Sequence, residues 1–249
     1  MPKQPLSVLY FTHYAELYGA NRSLLALAET LQSQGDIRPL ILLPCQGPFT
    51  EVLASKQIPF AIAPFDMEVY FERGLSRVKG TLRTLRNYRQ AGRVLDIARK
   101  FNPDLVHTNT AVLLAGDKVA RALGKPHIWH LREFGREDYQ FRYTLGEKYF
   151  LKHLNQASRV VAISGAIRQH YQQKGCTAPV ETVYNGVGSQ QELLQRKKTG
   201  HSAGFVATLA GTLQPAKGQE DAIRAFARLP RSTDFRLNIA GEGLPAYTL

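Results

Sequence analysis

Side chains able to hold an anion, grip a hydroxyl or share a proton recur in this chain directly after short apolar runs. Thr12, His13 and a loop holding Gly19 follow VLYF; Cys45 to Phe49 follow RPLILL; Thr108, Asn109 and Thr110 follow DLVH. His130, with Arg132 and Glu133 close behind it in a polar loop, follows HIW, and Ser164 and Gly165 follow RVVAI. Asn185 and Gly186 stand in the same kind of position further on.

The stretch from Ser7 to Leu31, SVLYFTHYAELYGANRSLLALAETL, shows how such residues are placed. A β-rich run gives way to a polar loop with Gly19, and Asn21 precedes apolar residues at helical spacing, Leu24, Leu27, Ala28 and Leu31. Strand, glycine-bearing loop and helix in that order aim the free N–H groups of a helix start beyond the strand's carboxyl end, where an anion is the natural occupant. The other reading is that Gly19 only permits a tight turn; with no GxGxxG, the loop alone leaves both open.

The elements behind these positions alternate. After the first helix, the pattern gives a strand at Arg38 to Leu43, a short helix at Phe49 to Ser55, a strand at Phe60 to Ala63 and a long helical segment from Arg73 to Lys100. It continues with strands at 104–107, 127–130 and 159–163, and helices at 113–123, 143–154 and from 165 to Lys174. Strands alternating with helices of this length predict an α/β fold built on a doubly wound parallel sheet, covered on both faces. Ligands of such sheets bind beyond the carboxyl ends of the strands, where the residues named above stand.

With 249 residues, 44% hydrophobic and 21% charged, the chain has the composition of a soluble globular protein. The formal charge of +12 calls for an anionic partner: nucleic acid, a phosphorylated substrate or an anionic membrane surface. Nucleic acid has no recognition signature behind it and is set aside. Two cysteines, Cys45 and Cys176, make neither a disulfide framework nor a metal spacing and favour a reduced, cytoplasmic setting. No signal-peptide pattern opens the chain, and no apolar run is long enough to span a bilayer, so a membrane would be met peripherally, from the inner face.

Residues 1–189 read as one Rossmann-like domain and 190–203, in the polar and basic stretch QQELLQRKKTGHSAG from Gln190 to Gly204, as a linker. Residues 204–249 then supply a strand at 205–210, a loop GTLQPAKG, a helix at 220–229 and a strand at 236–240. A lone βαβ unit is a poor independent domain, and this second domain is expected to be incomplete.

Six motifs, in order, resemble those of glycosyltransferase family 4, retaining enzymes of the GT-B fold: GANR with LLALAETL, PDLVHTN, VARALGKPHIWHLREF, VVAISGAI, VETVYNGV, and AGTLQPAKGQEDAIRAF with LNIAGEG. The resemblance covers nearly the whole chain. It implies an N-terminal acceptor domain facing a second, nucleotide-sugar domain across a cleft. It also implies transfer to a saccharide or lipid-linked acceptor with retained configuration, as in polysaccharide biosynthesis, without metal or cofactor.

Carried over residue by residue, the resemblance places Lys217, Gly218, Thr212, Gly19, Asn185 and Gly186 on the donor. Lys217 matches the lysine at the diphosphate, where an ammonium stabilises the charge on the leaving phosphate; a solvated loop lysine is the alternative. Thr212 replaces the family's usual arginine, Asn109 a second histidine, and Gly188 an aspartate. His130 and Glu133 fall at the catalytic position, with His130 positioning the sugar and not acting as nucleophile. His107 reads equally as a core or a functional histidine. Asn21, Arg22, Asn109 and Arg132 are assigned to the acceptor. Gly19 and Lys217 are expected to face one anionic guest.

The family's E-x7-E acidic pair would fall past Leu249, so this chain is expected to transfer sugar poorly or not at all. The alternative function is a non-catalytic binder of a saccharide or phosphorylated ligand. The segment from Arg73 to Lys100 carries nine Lys/Arg against Asp96 alone. Its stripe of Lys79, Arg83, Arg86 and Arg93 runs beside Leu75, Val78, Leu82 and Leu85, fitting either an anionic membrane or a solvated face.

Overall fold

The computed structural model describes residues 4–71, 76–186, 188, 190–195, 204–214, 217–230 and 234–243. The chain divides into two compact units, Met1–Gly186 and Val187–Leu249.

The first unit opens with β1 (Leu6–Phe11), α1 (Gly19–Ser33), β2 (Ile37–Leu43), α2 (Pro48–Ser55) and β3 (Phe60–Ile62). Then come β4 (Val69–Phe71), α3 (Ser76–Phe101), β5 (Leu105–Thr108), α4 (Ala115–Leu123), β6 (His127–Leu131), α5 (Arg136–Tyr139) and β7 (Phe141–Tyr143). It ends with α6 (Glu147–Leu154), β8 (Arg159–Ala162), α7 (Gly165–Gln173) and β9 (Val180–Thr182). Seven strands form one sheet in the order β3-β2-β1-β5-β6-β8-β9, every pair parallel.

Alternation along the strands explains why both faces are covered. Val8 and Tyr10 pack with Leu24 and Ala28 of α1 and Phe49 and Leu53 of α2, while Leu9 and Phe11 pack with Val94, Ala98, Val119 and Ala120 of α3 and α4. On the far half, Trp129, Leu131, Val160 and Ala162 meet Phe150, Leu154, Ile167 and Tyr171 of α6 and α7. Successive strand residues point to opposite faces, so near-continuous apolar strands are those a doubly covered sheet requires.

The chain builds outward from β1 to β3, then returns to place β5 on β1's other side. The strand order therefore reverses between β1 and β5, and a crevice at such a switch point is where open α/β sheets hold ligands.

Several elements differ from the sequence expectation. Helix α1 starts at Gly19, with Tyr18 as N-cap, so Asn21 lies inside its first turn. The helix expected from Tyr143 begins only at Glu147: Gly146, with φ of 88°, breaks the run, and Phe141–Tyr143 is a strand paired antiparallel with β4. Within the expected linker, residues 190–195 are helical (α8, Gln190–Gln195); 196–203 lie outside the described residues, as does Arg73.

The second unit holds the parallel pair β10 (Phe205–Ala210) and β11 (Phe235–Ala240) joined through α9 (Gln219–Phe226). Among the described residues, no helix is long and apolar enough to cross a membrane.

Candidate functional site

The carboxyl edge of the sheet collects the loops after β1, β5, β6 and β9, and one guanidinium ties them together. Arg132, just past β6, donates from Nε to Asn109 Oδ1 at 2.8 Å and from Nη1 to Asn185 Oδ1 at 2.9 Å. Asn109, just past β5, donates in turn to the Ala20 carbonyl in the first turn of α1, at 3.2 Å. Ser23 Oγ, one turn into α1, donates to the same Asn185 oxygen at 3.0 Å. Four loops are thus held in one hydrogen-bonded array.

Arg132 is a fit residue for this duty because its planar fork addresses two acceptors at fixed angles, which an ammonium cannot. Burial lowers its pKa to about 10, with Glu133 and Tyr14 opposing, so it stays charged at neutral pH.

His130 lies at the end of β6 beside that charge. Its Nδ1 is 3.3 Å from His107 Nε2 and 3.4 Å from Arg132 Nη2. Arg132 can only donate, which makes Nδ1 the acceptor and assigns the ring proton to Nε2. Nε2 is buried and has no hydrogen-bond partner among the described residues. Burial, and then the Arg132 charge, pushes the His130 pKa down to about 3, so the ring is neutral at physiological pH. His107 is held well below the ordinary histidine value by burial and by His130, Arg132 and His127. The site therefore holds a neutral imidazole, its buried Nε2–H unpartnered among the described residues, beside a fixed cation.

Glu133 is buried among these loops. Its Oε1 accepts from Thr110 Oγ1 at 2.5 Å and from the Ala111 N–H at 2.8 Å, and its carbonyl accepts from Tyr171 at 3.1 Å. Burial raises its pKa, against the two hydrogen bonds and Arg132. The geometry gives it a positioning part: it pins the loop after β5 to the loop after β6.

Two residues assigned to the acceptor are fully buried. Asn21 accepts from Thr12 Oγ1 at 2.6 Å and donates to the carbonyls of Tyr14 and Glu16 at 3.0 and 2.8 Å. With 0% exposure and its bonding capacity spent within the β1–α1 loop, it cannot touch a bound sugar. Asn109 is likewise 0% exposed, and its amide bridges Arg132 and Ala20. The hydrogen bonds that both residues make in this structure serve loop positioning. Arg22 is exposed and donates to the Leu17 carbonyl at 2.8 Å.

Gly19 begins α1, whose N-cap makes no side-chain bond and whose first turn holds no acid. Its φ is not left-handed, and an added Cβ would meet nothing within 4 Å. Neither turn geometry nor internal packing calls for glycine there. Gly186 is equally open.

In the second unit, the exposed Lys217 leads into Gly218, the N-cap of α9. Gly218 has φ of 70°, a left-handed conformation that favours glycine on backbone grounds alone. The Thr212 carbonyl accepts from the buried Gln219 at 3.0 Å, which fixes the loop before α9.

Sequence reasoning missed Ser23, Gln219 and the β4–β7 ribbon. Ser23's one signal is its place a single turn beyond Gly19. The ribbon borders a cavity of about 430 Å³ that continues from the β6 loop, lined by Phe134, Arg142, Tyr143, Glu147, Tyr171 and Lys174 among others. Lys174 pairs there with Glu137 and Glu147, at 3.5 and 2.8 Å. Among the described residues, no three His, Cys, Asp or Glu side chains gather as a metal site would.

Comparison with known proteins matches residues 18–191 to the Glycosyltransferase Family 4 profile. No curated protein sequence matches. Among solved structures, Anabaena HepE in complex with UDP and glucose is 23% identical, with a TM-score of 0.66, over 96% of this chain and 62% of that one. HepE with UDP-glucose gives 21% identity and a TM-score of 0.64 over 97% and 70% of the two chains. MurG of Acinetobacter baumannii gives 15% and 0.54, over 98% and 68%. The chain spans less than two thirds of the first of these. At such identities the likeness shows the fold, the GT-B architecture of these glycosyltransferases.

Proposed function

The chain belongs to glycosyltransferase family 4, and from that premise we propose that it serves sugar transfer from a nucleotide-activated donor to a saccharide or lipid-linked acceptor, with retention of configuration. The observation that carries this reading is the Arg132 array with the unpartnered Nε2 of His130 beside it, at the strand-order reversal of the sheet.

In this reading the neutral His130 positions the transferred sugar. It is no general acid, because a ring with a pKa near 3 holds no second proton at pH 7. Arg132 keeps the loops fixed, so little reorganisation is needed as charge develops. Gly19 lets the donor's phosphates approach the N–H groups of α1, which carry the helix's positive end. Lys217, with Gly218 and Thr212 in the same loop, meets the diphosphate. Asn185 and Gly186 lie along the donor.

For retention, the acceptor oxygen attacks the anomeric carbon on the face from which the phosphate leaves. The C–O bond to phosphate breaks as the new one forms, and a departing phosphate oxygen takes the acceptor's proton. Fixed protein charges neutralise the phosphate in this proposal, with no metal or cofactor called for. The cavity beyond Phe134, with aromatic faces and charged side chains, is the proposed place of the acceptor.

The deciding experiment is calorimetric titration with UDP and UDP-glucose, followed by product analysis by NMR with saccharide acceptors. Saturable binding that is lost in Lys217→Ala, with product of retained anomeric configuration, is the expected result. Binding without product supports a non-catalytic binder, and no binding of any nucleotide sugar rejects the reading.

A further inference from the structure

The first half of α3 is built inside out. Its buried residues are small or polar, Gly80, Thr84 and Asn87, whereas its large apolar residues face solvent. Val78, Leu82, Leu85 and Tyr88 are 56%, 60%, 52% and 55% exposed. Their spacing of four, three and three residues puts them on one face.

The inversion has visible causes in packing. Gly80 lets the helix lie against the β4–β7 ribbon, where an added Cβ would come within 3.0 Å of Tyr70 Cβ and 3.1 Å of Thr144 Oγ1. Asn87 is spent on the turn before β4, accepting from the Asp66 N–H at 2.7 Å and donating to its carbonyl at 2.9 Å. The helix is therefore anchored through backbone contacts and amides, which leaves its leucines without a core to fill. Burial is the usual place for such residues; four aligned on one exposed face mark an interaction surface.

What surrounds the stripe identifies its partner. From Ser76 to Phe101 the helix carries Arg77, Lys79, Arg83, Arg86, Arg89, Arg93, Arg99 and Lys100, against Asp96 alone. Arg83 and Arg86 also hold the ribbon side, on the Val69 carbonyl at 3.0 Å and on Asp66. Arg77, Lys79, Arg89 and Arg93 stand exposed around the leucines. A rigid helix with an apolar stripe bordered by cations fits an anionic lipid surface, the stripe entering the headgroup boundary and the cations remaining among phosphates. A second copy of this +12 chain would bring like charges together at the same face.

We propose that the face of α3 formed by Val78, Leu82, Leu85 and Tyr88 docks this protein on an anionic membrane. The β4 and β7 residues beneath it, Tyr70 and Tyr143, also line the cavity assigned above to the acceptor. Docking through α3 thus sets the membrane beside that cavity, and the acceptor class that benefits is a saccharide carried on a lipid. This last step rests on the sugar-transfer reading; the docking itself does not.

The experiment is cosedimentation of the full chain with vesicles of phosphatidylcholine alone or with phosphatidylglycerol. Binding is expected only to the anionic vesicles, weakening as salt rises. Leu82→Ser/Leu85→Ser should lower the partition coefficient about tenfold with an unchanged circular dichroism spectrum, since both side chains are already in water. Arg89→Glu/Arg93→Glu should do the same, and Lys148→Glu/Lys152→Glu on α6, the same change in charge, should lower it far less.

Equal losses from the two charge reversals would reduce the effect to net charge and overturn the proposal. So would absence of binding at low salt, or a dimer in sedimentation that Leu82→Ser/Leu85→Ser converts to monomer. UDP titration of the same samples separates the two readings: retained UDP binding without vesicle binding ends the docking alone, and the reverse ends the sugar-transfer reading alone.

Discussion

Arg132 Nη1 donates to Asn185 Oδ1 at 2.9 Å, and through this bond the loop after β9 is fastened to the loop after β6 across the width of β8. Asn185 spends the same oxygen on Ser23 of α1, at 3.0 Å. The tie between sequence positions 132 and 185 therefore reaches back to residue 23, and the site is a property of the closed array.

Replacing Arg132 should accordingly damage both structure and binding. Arg132→Ala leaves Asn109 Oδ1 buried without its donor, which costs about 1–3 kcal/mol. Arg132→Lys keeps the charge but cannot serve Asn109 and Asn185 together. Urea unfolding should show both variants destabilised, Ala more than Lys. In titration with UDP-glucose, Lys should recover little of the affinity; wild-type affinity in Arg132→Lys would show that charge alone matters.

Gly19→Ala separates fold from ligand. With no left-handed φ and nothing within 4 Å of an added Cβ, the substitution should be neutral or stabilise by up to about 1 kcal/mol, because alanine is the better helix former. A methyl at the helix start nevertheless stands between a phosphate and the first N–H groups. UDP-glucose affinity should fall tenfold or more while the melting temperature holds or rises. Unchanged affinity would remove Gly19 from the donor site.

Asn21→Ala tests the opposite case, a polar residue in the same motif that serves the fold. Its amide satisfies Thr12 Oγ1 and two carbonyls at 0% exposure. Truncation strands these groups and opens a small void, for an expected loss of about 1–3 kcal/mol. The readout is the denaturant midpoint. An unchanged midpoint with weakened acceptor binding would restore the ligand role.

These contrasts show what the sequence makes legible. The alternation of apolar strands with helical spacing is dictated by a sheet covered on both faces, and β1, β2, β5, β6 and β8 fall within a residue or two of their sequence positions. Loop positions after the strands are legible for the same reason. The partner of each polar side chain is not. Asn21 and Asn109 resemble ligand contacts until the carbonyls of Tyr14, Glu16 and Ala20 are seen beside them. The β4–β7 ribbon escapes because Tyr143 and Phe150 fit a helical period, whereas Gly146 in a left-handed conformation ends that period only through tertiary placement. The leucines of α3 likewise show the spacing of a core-facing stripe, and only Gly80 packed on Tyr70 turns them outward.

Acid should unfold this protein early, and the histidines give the sign. His13, His127 and His130 have pKa values lowered by burial from 6.5 to about 3, and His107 lies well below 6.5 too. The unfolded chain takes up these protons as pH falls through 6.5, while the folded chain refuses them until about 3. Their contribution to stability is therefore whole above pH 6.5 and is lost progressively toward pH 3. Each such proton steepens the decline by about 1.4 kcal/mol per pH unit. The raised carboxyls of Glu133 and Asp117 act in the opposite sense, since folding favours their protonated forms, and offset part of it. Urea midpoints measured from about pH 7.5 down to about pH 5 should fall steadily below 6.5. His130→Gln, which keeps a neutral hydrogen-bonding side chain, should make that slope shallower by close to one proton, and an unaltered slope would mean that His130 titrates normally in the folded state.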